Sequence, residues 1–224
     1  LQVEPPFRYS TDMVYDRARR NAILFGGSVG GSGGRRDTWE WNGNRWEERV
    51  PTHRPPGRSG HVMAYDSFRE KVVLFGGQDY SFFGDTWEWD GTDWTLRATA
   101  GPPARTLAAM AFDEARGVAV LFGGAVTGIG FQDTWEWDGT TWREVPSYPG
   151  APRPRLGAAM AHDPVRGRVI LFGGDLGPSG GFEADETWEW DGLSRLWIRL
   201  WPQTTPGGRA WHRMVYDRWR SRIV

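Results

Sequence analysis

The 224-residue chain is expected to be all-β, an array of four-stranded units joined in series. Three observations predict this. Phe-Gly-Gly recurs at 25–27, 75–77, 122–124 and 172–174. Ten to fourteen residues after each Phe, an acidic residue precedes Thr-Trp-Glu-Trp, at 37–41, 85–89, 133–137 and 186–190. A further tryptophan then follows, at Trp46, Trp94, Trp142 and Trp197. A repeat of roughly 50 residues marks a stacked or circular array, not an enzyme built on one compact core.

Each unit carries four strand signals. A short apolar stretch comes first, as in Val62-Met63-Ala64-Tyr65, and closes on an Asp and a charged turn. An Arg stands five residues before its Met: Arg8/Met13, Arg58/Met63, Arg105/Met110, Arg155/Met160 and Arg209/Met214. Three residues past each Met is an Asp (Asp16, Asp66, Asp113, Asp163, Asp217), and three further on an Arg (Arg19, Arg69, Arg116, Arg166, Arg220). The second signal is a continuous apolar run such as Val72-Val73-Leu74-Phe75, suited to a strand buried on both faces. Gly-Gly ends it and supplies positive φ and close backbone approach.

Thr-Trp-Glu-Trp is the third strand; its period of two sends both Trp to one face and Thr and Glu to the other. Asn42-Gly43, Asp90-Gly91, Asp138-Gly139 or Asp191-Gly192 then turns the chain into the fourth strand, which carries the last Trp. Proline-rich links such as 51–56 and 146–154 interrupt further pairing.

A sheet with two apolar faces must bury both. Radial packing of such sheets gives a β-propeller, with the tryptophans filling the space between blades. The expected blades are approximately 8–50, 58–98, 105–145 and 155–200, with half of a fifth at 209–224. Every complete unit places its Phe twelve residues after its Met, so the fifth would reach its Phe at position 226, two residues past Val224. A ring of at least five blades is implied. The chain opens without Met or a secretory leader pattern, and is expected to be a piece of a longer protein.

Composition excludes several classes. A formal net charge of −1 gives no basic footprint for nucleic acid. Absence of cysteine removes disulfides, thiolate metal sites and cysteine nucleophiles. No run approaches the ~20 apolar residues of a membrane-spanning helix, so no membrane insertion is expected.

The apolar run ending in Gly-Gly, the later Trp strand and the Trp on the last strand resemble the Kelch repeat, over essentially the whole chain. The Thr-Trp-Glu-Trp-Asp-Gly form is similar to repeats of many bacterial, often extracytoplasmic, proteins, which implies an extracytoplasmic or secreted setting. The resemblance also implies that the links between blades and the loops after Gly-Gly open on one face. Galactose-oxidase-like copper chemistry would need a Tyr–Cys crosslink, which a chain without cysteine cannot form. A sialidase-like sugar enzyme would need a unique cluster of Arg, acids and His, whereas these groups are repeated. A non-enzymatic interaction module without a cofactor is therefore expected, engaging a protein, peptide or glycan. The alternative is an assembly component whose fifth blade is completed by strands of another segment or subunit.

Residues common to every unit are expected to build the scaffold: Trp pairs as core, Glu40, Glu88, Glu136 and Glu189 as satisfied polar contacts, and the Asp-Gly turns as structure. Binding is expected where the units differ. The loops 28–36, 78–84, 125–132 and 175–185 vary in length and carry Tyr80, Phe82, Phe83, Ile129, Phe131 and Phe182. Aromatic residues on loops held by a rigid scaffold are good contact material. Arg58, Arg105, Arg155 and Arg209, near the same rim, could offer guanidinium groups to an acidic partner. His61 and His212 share a slot occupied elsewhere by Thr11, Ala108 and Ala158. Without a third ligand at the same depth they are assigned to binding, not to a metal.

Overall fold

The computed structural model describes residues 4–30, 33–177 and 182–224. Gly31, Ser32 and residues 178–181, which belong to two of the variable loops, lie outside the described residues. The described residues form strands, turns and loops with no helix, and the chain divides into two compact units, Leu1–Thr106 and Leu107–Val224.

The first unit holds two antiparallel sheets whose strands follow chain order. One contains Asp12–Asp16, Asn21–Phe25, Thr38–Trp41 and Trp46–Arg49; the other contains Val62–Asp66, Lys71–Phe75, Thr86–Trp89 and Trp94–Ala98. In the first sheet Phe25 faces Thr38, Leu24 faces Trp39, and Trp41 faces Trp46. Alternation therefore puts Met13, Leu24 and the three Trp on one face, and Ile23, Phe25, Thr38 and Glu40 on the other.

The second sheet lays its Trp face on the Thr face of the first. Trp89, Trp94, Met63, Tyr65, Val72 and Leu74 close over Ile23 and Phe25. Trp94 meets Phe25 edge-on at 5.3 Å, a favourable geometry for the ring quadrupoles. Polar groups lock the stack: the Met63 amide donates to Asp12 Oδ2 at 2.7 Å, and the Ala18 amide to the Tyr65 hydroxyl at 3.2 Å. The Trp face of the first blade stays more open, with Met13 55% exposed and Trp41 and Trp46 half-buried.

The second unit repeats the plan. Its sheets are Ala109–Asp113, Val118–Phe122, Thr134–Trp137 and Trp142–Val145, then Ala159–Asp163, Arg168–Phe172, Thr187–Asp191 and Leu196–Leu200. Trp188, Trp190 and Trp197 of the fourth blade pack on Ala109, Ala111, Val120 and Phe122 of the third. A fifth, two-stranded sheet pairs Tyr216–Asp217 with Arg222–Ile223.

Gly-Gly works as the spacing requires. Gly173 and Gly174 have φ of 70° and 101°, and the Gly174 amide donates to the Arg209 carbonyl at 2.9 Å. A Cβ on Gly173 would lie 2.4 Å from that carbonyl oxygen, so the two chains meet there only because a side chain is missing.

Candidate functional site

The recurring arginines are part of the scaffold. Arg58 is fully buried; it donates to Asp85 through both Nη atoms at 2.6 and 2.9 Å, and to the carbonyls of Gly76 and Pro56. Arg8 holds Asp37 in the same way, at 2.9 and 2.7 Å. Arg155 is buried against Glu186 at 2.7 Å, and Arg105 is buried as well, with Nε on the Pro103 carbonyl. Burial pushes the Asp85 carboxyl up, but hydrogen bonds from Arg58 and Trp87 and the Arg58 charge outweigh it and hold the group below its usual range. The expectation that Arg58, Arg105 and Arg155 face a partner is thereby corrected. Asp37, Asp85 and Glu186 each stand just before a Thr-Trp strand, and these three clamps close inside their own blades. Arg209 differs: it is exposed, its Nε donates to the Gly207 carbonyl, and no carboxylate among the described residues pairs with it.

The two histidines sit beside the Phe of Phe-Gly-Gly. His61 is buried edge-on to Phe25 at 5.5 Å, and His212 is half-buried edge-on to Phe172 at 5.5 Å. Burial, then the charges of Arg209 and Arg213, push His212 below the ordinary imidazole range. Among the described residues no group of three or more His, Asp or Glu is placed to hold a metal ion.

The charged groups of the first turn are also structural. Arg69 reaches Asp66 at 2.6 Å and Glu88 at 2.7 Å, tying the turn to the third strand. In the Asp-Gly turns, Asp90 Oδ1 accepts from the Thr92 amide and hydroxyl and from the Asp93 amide; Asp138 does the same with Thr140 and Thr141.

The loop residues are distributed less uniformly. Tyr80 is 92% exposed at the tip of the second blade's loop, while Phe82 and Phe83 are half-buried. This loop is rigidly seated. Gln78 pairs with Ser59, the Phe83 amide donates to the Gly77 carbonyl at 2.8 Å, and the Phe83 carbonyl accepts from the Arg105 amide at 3.0 Å. The Arg58 guanidinium lies 4.1 Å over the Phe83 ring, a cation–π contact that brings two of the expected site residues together. Between loop and link opens a cleft of about 620 Å³, lined by Phe82, Phe83, Asp85, Thr99, Pro102 and Ala104. The loop of the first blade is tied in through Asp79, whose Oδ1 accepts from the Gly34 amide at 2.8 Å.

In the second unit, the third blade's loop folds into its own hairpin, Ala125–Val126 with Ile129–Gly130, leaving Ile129 exposed at the end. Phe131 is half-buried with its carbonyl on the Arg155 amide. Phe182 is exposed in the fourth blade's loop. Sequence reasoning read the links only as proline spacers and so missed the 99–104 wall of the cleft. It also passed over Arg153, Arg199 and Trp201, whose signal was a departure from the repeat.

A domain model described as the KLHDC2/KLHL20/DRC7 Kelch-repeats domain matches residues 13–224. No curated protein matches the chain. Domains of this kind generally mediate protein–protein interaction and are typically non-catalytic.

Proposed function

Since the chain belongs to the Kelch-repeat family, a propeller family of four-stranded blades, we propose that it is a non-catalytic binding module that engages an extended protein segment or peptide at the aromatic loop of its second blade. The observation that carries this reading is a cleft walled by Phe82 and Phe83, on a loop that backbone hydrogen bonds hold to Gly77 and Arg105 and that also exposes Tyr80. Phe82 and Phe83 supply apolar area, Pro102 and Ala104 close the other side, and little ordering cost remains for the site. A glycan would use the same aromatic surface by stacking. An extracytoplasmic setting belongs to this reading through the Thr-Trp-Glu-Trp-Asp-Gly form alone. The test is selection of binders from a random-peptide display library and a glycan array. Peptides whose affinity falls about tenfold or more in Tyr80→Ser and Phe82→Ser support the reading. Glycan binders lost in both variants would change the ligand class. Binders indifferent to both variants, or none at all, would remove the site.

A second reading rests on the fifth blade. Among the described residues no carboxylate pairs with Arg209 as one does with Arg8, Arg58 and Arg155, and Thr187 is only half-buried where Thr38, Thr86 and Thr134 are buried. Among the described residues, strand Arg222–Ile223 pairs with Tyr216–Asp217 alone. Strands from another segment or subunit that bear an acid and a tryptophan would pair with Arg209 and Thr187. A peptide with the sequence of residues 132–145, added in trans, should slow amide exchange at Ile223; unchanged exchange would count against strand addition.

A further inference from the structure

The fourth blade departs from the repeat at three positions that meet in space. Its acid before Thr-Trp is Glu186, where the other blades have Asp37, Asp85 and Asp133. Two residues ahead of the clamp arginine stands Arg153, where the first three blades have Pro6, Pro56 and Pro103. On its outer strand Arg199 faces Trp188, whereas Glu48, Leu96 and Glu144 face the matching tryptophans.

The result is an excess of positive charge. Arg155 Nη2 lies 2.7 Å from Glu186 Oε2, while Arg199 Nη2 and Arg153 Nη2 share Oε1 at 3.4 and 3.7 Å. Three guanidinium groups thus surround one carboxylate, where Arg8–Asp37 and Arg58–Asp85 balance one to one. Burial, together with the charges of Arg153 and Arg199, pushes Arg155 below the usual arginine range despite its bond to Glu186.

The two added arginines retain unused donors. Among the described residues neither side chain donates a hydrogen bond, and Arg199 Nε is buried without a partner. Their side chains are 66% and 36% exposed. Trp201, itself largely exposed, lies 4.0 Å from the Arg199 guanidinium, a cation–π contact that restrains its orientation while the side chain stays 36% exposed.

We propose that Arg153, Arg199 and Trp201 form an anion site that takes a side-chain carboxylate from an acidic segment of a partner protein. The forked donors match a carboxylate, as the clamps within this chain already demonstrate, and Trp201 offers apolar cover to the residues flanking the acid. The partner class rests on the protein-binding reading of the family but not on the Tyr80 cleft.

The test is titration of the whole chain with hexaglutamate, and separately with inorganic phosphate, by calorimetry at low and physiological salt. Hexaglutamate should bind, weaken as salt rises, and lose about tenfold in affinity in Arg199→Gln and in Arg153→Pro. Arg199→Lys should recover part of the loss, and an unchanged melting temperature shows that the blade remains folded. Tyr80→Ser should leave the titration unaltered, so failure of the aromatic cleft and failure of this site are separable. No hexaglutamate binding, or binding equal in the variants, overturns the proposal. Phosphate binding as tight as the peptide would overturn the assignment to a protein carboxylate.

Discussion

Trp94 donates its indole N–H to the hydroxyl of Thr38 at 2.9 Å, across the boundary between two blades and fully out of water. Trp197 and Thr134 repeat the bond at 3.0 Å. The fourth-strand Trp of one repeat is thus read by the Thr of the preceding repeat's Thr-Trp-Glu-Trp, so the last Trp donates and Thr-Trp-Glu-Trp accepts in setting blade order. Thr38→Val keeps the volume and strands a buried N–H, and should cost about 1–3 kcal/mol. Denaturant unfolding checks this, and Trp94→Ala should cost more, ~3–5 kcal/mol.

Arg58 and Asp85 give the second prediction. Arg58→Met leaves the Asp85 carboxylate desolvated and half-satisfied, with an expected loss of about 3–5 kcal/mol. Arg58→Lys should recover only part of it, because an ammonium cannot reach Gly76, Pro56 and both carboxylate oxygens at once. Melting temperature reads both, at about 2–4 °C per kcal/mol for a chain of this size.

The Asp-Gly turns predict an acid dependence. Burial raises the carboxyls of Asp90 and Asp138, but hydrogen bonds from the turn amides and threonine hydroxyls outweigh it and bring both to about 2. A carboxyl depressed in the folded state contributes stability above its unfolded value of about 3.9, and that contribution fades as pH falls toward 2. Because both turns are largely solvated, each contributes well under ~1 kcal/mol. In Asp90→Ala with Asp138→Ala, the difference from the parent should therefore shrink between pH 5 and pH 2.

Gly173 predicts a steric failure. Alanine there meets the Arg209 carbonyl at 2.4 Å in a left-handed conformation, so Gly173→Ala should destabilise the contact between the fourth and fifth blades. Faster amide exchange at Gly174, whose N–H bonds that carbonyl, is the local readout.

Much of the scaffold was legible because its signals are periodic. The Met-to-Phe spacing, Gly-Gly and the alternating Trp strand located all four complete sheets, since each sheet has the same faces to bury. The clamps were half legible: Arg58 and the acid 27 residues after it recur together, and only the folded register shows that they meet. Taken alone, the arginine resembled a free rim charge. The hairpin at Ala125–Val126 and Ile129–Gly130 carries no periodic signal in so short a segment. The cleft beside Phe82 depends on where the 99–104 link returns, which long-range pairing determines. Arg153 and Arg199 stood out only as departures, whose meaning appears once Glu186 brings them to one place.

The affinity of a selected peptide for Tyr80→Ser, measured together with the melting temperature of that variant, tests most directly whether binding resides in the departures from the repeat. An affinity loss of about tenfold or more at an unchanged melting temperature is the expected result. Undiminished affinity, or a melting temperature lowered as far as in Arg58→Met, would contradict the division between repeated scaffold and variable site.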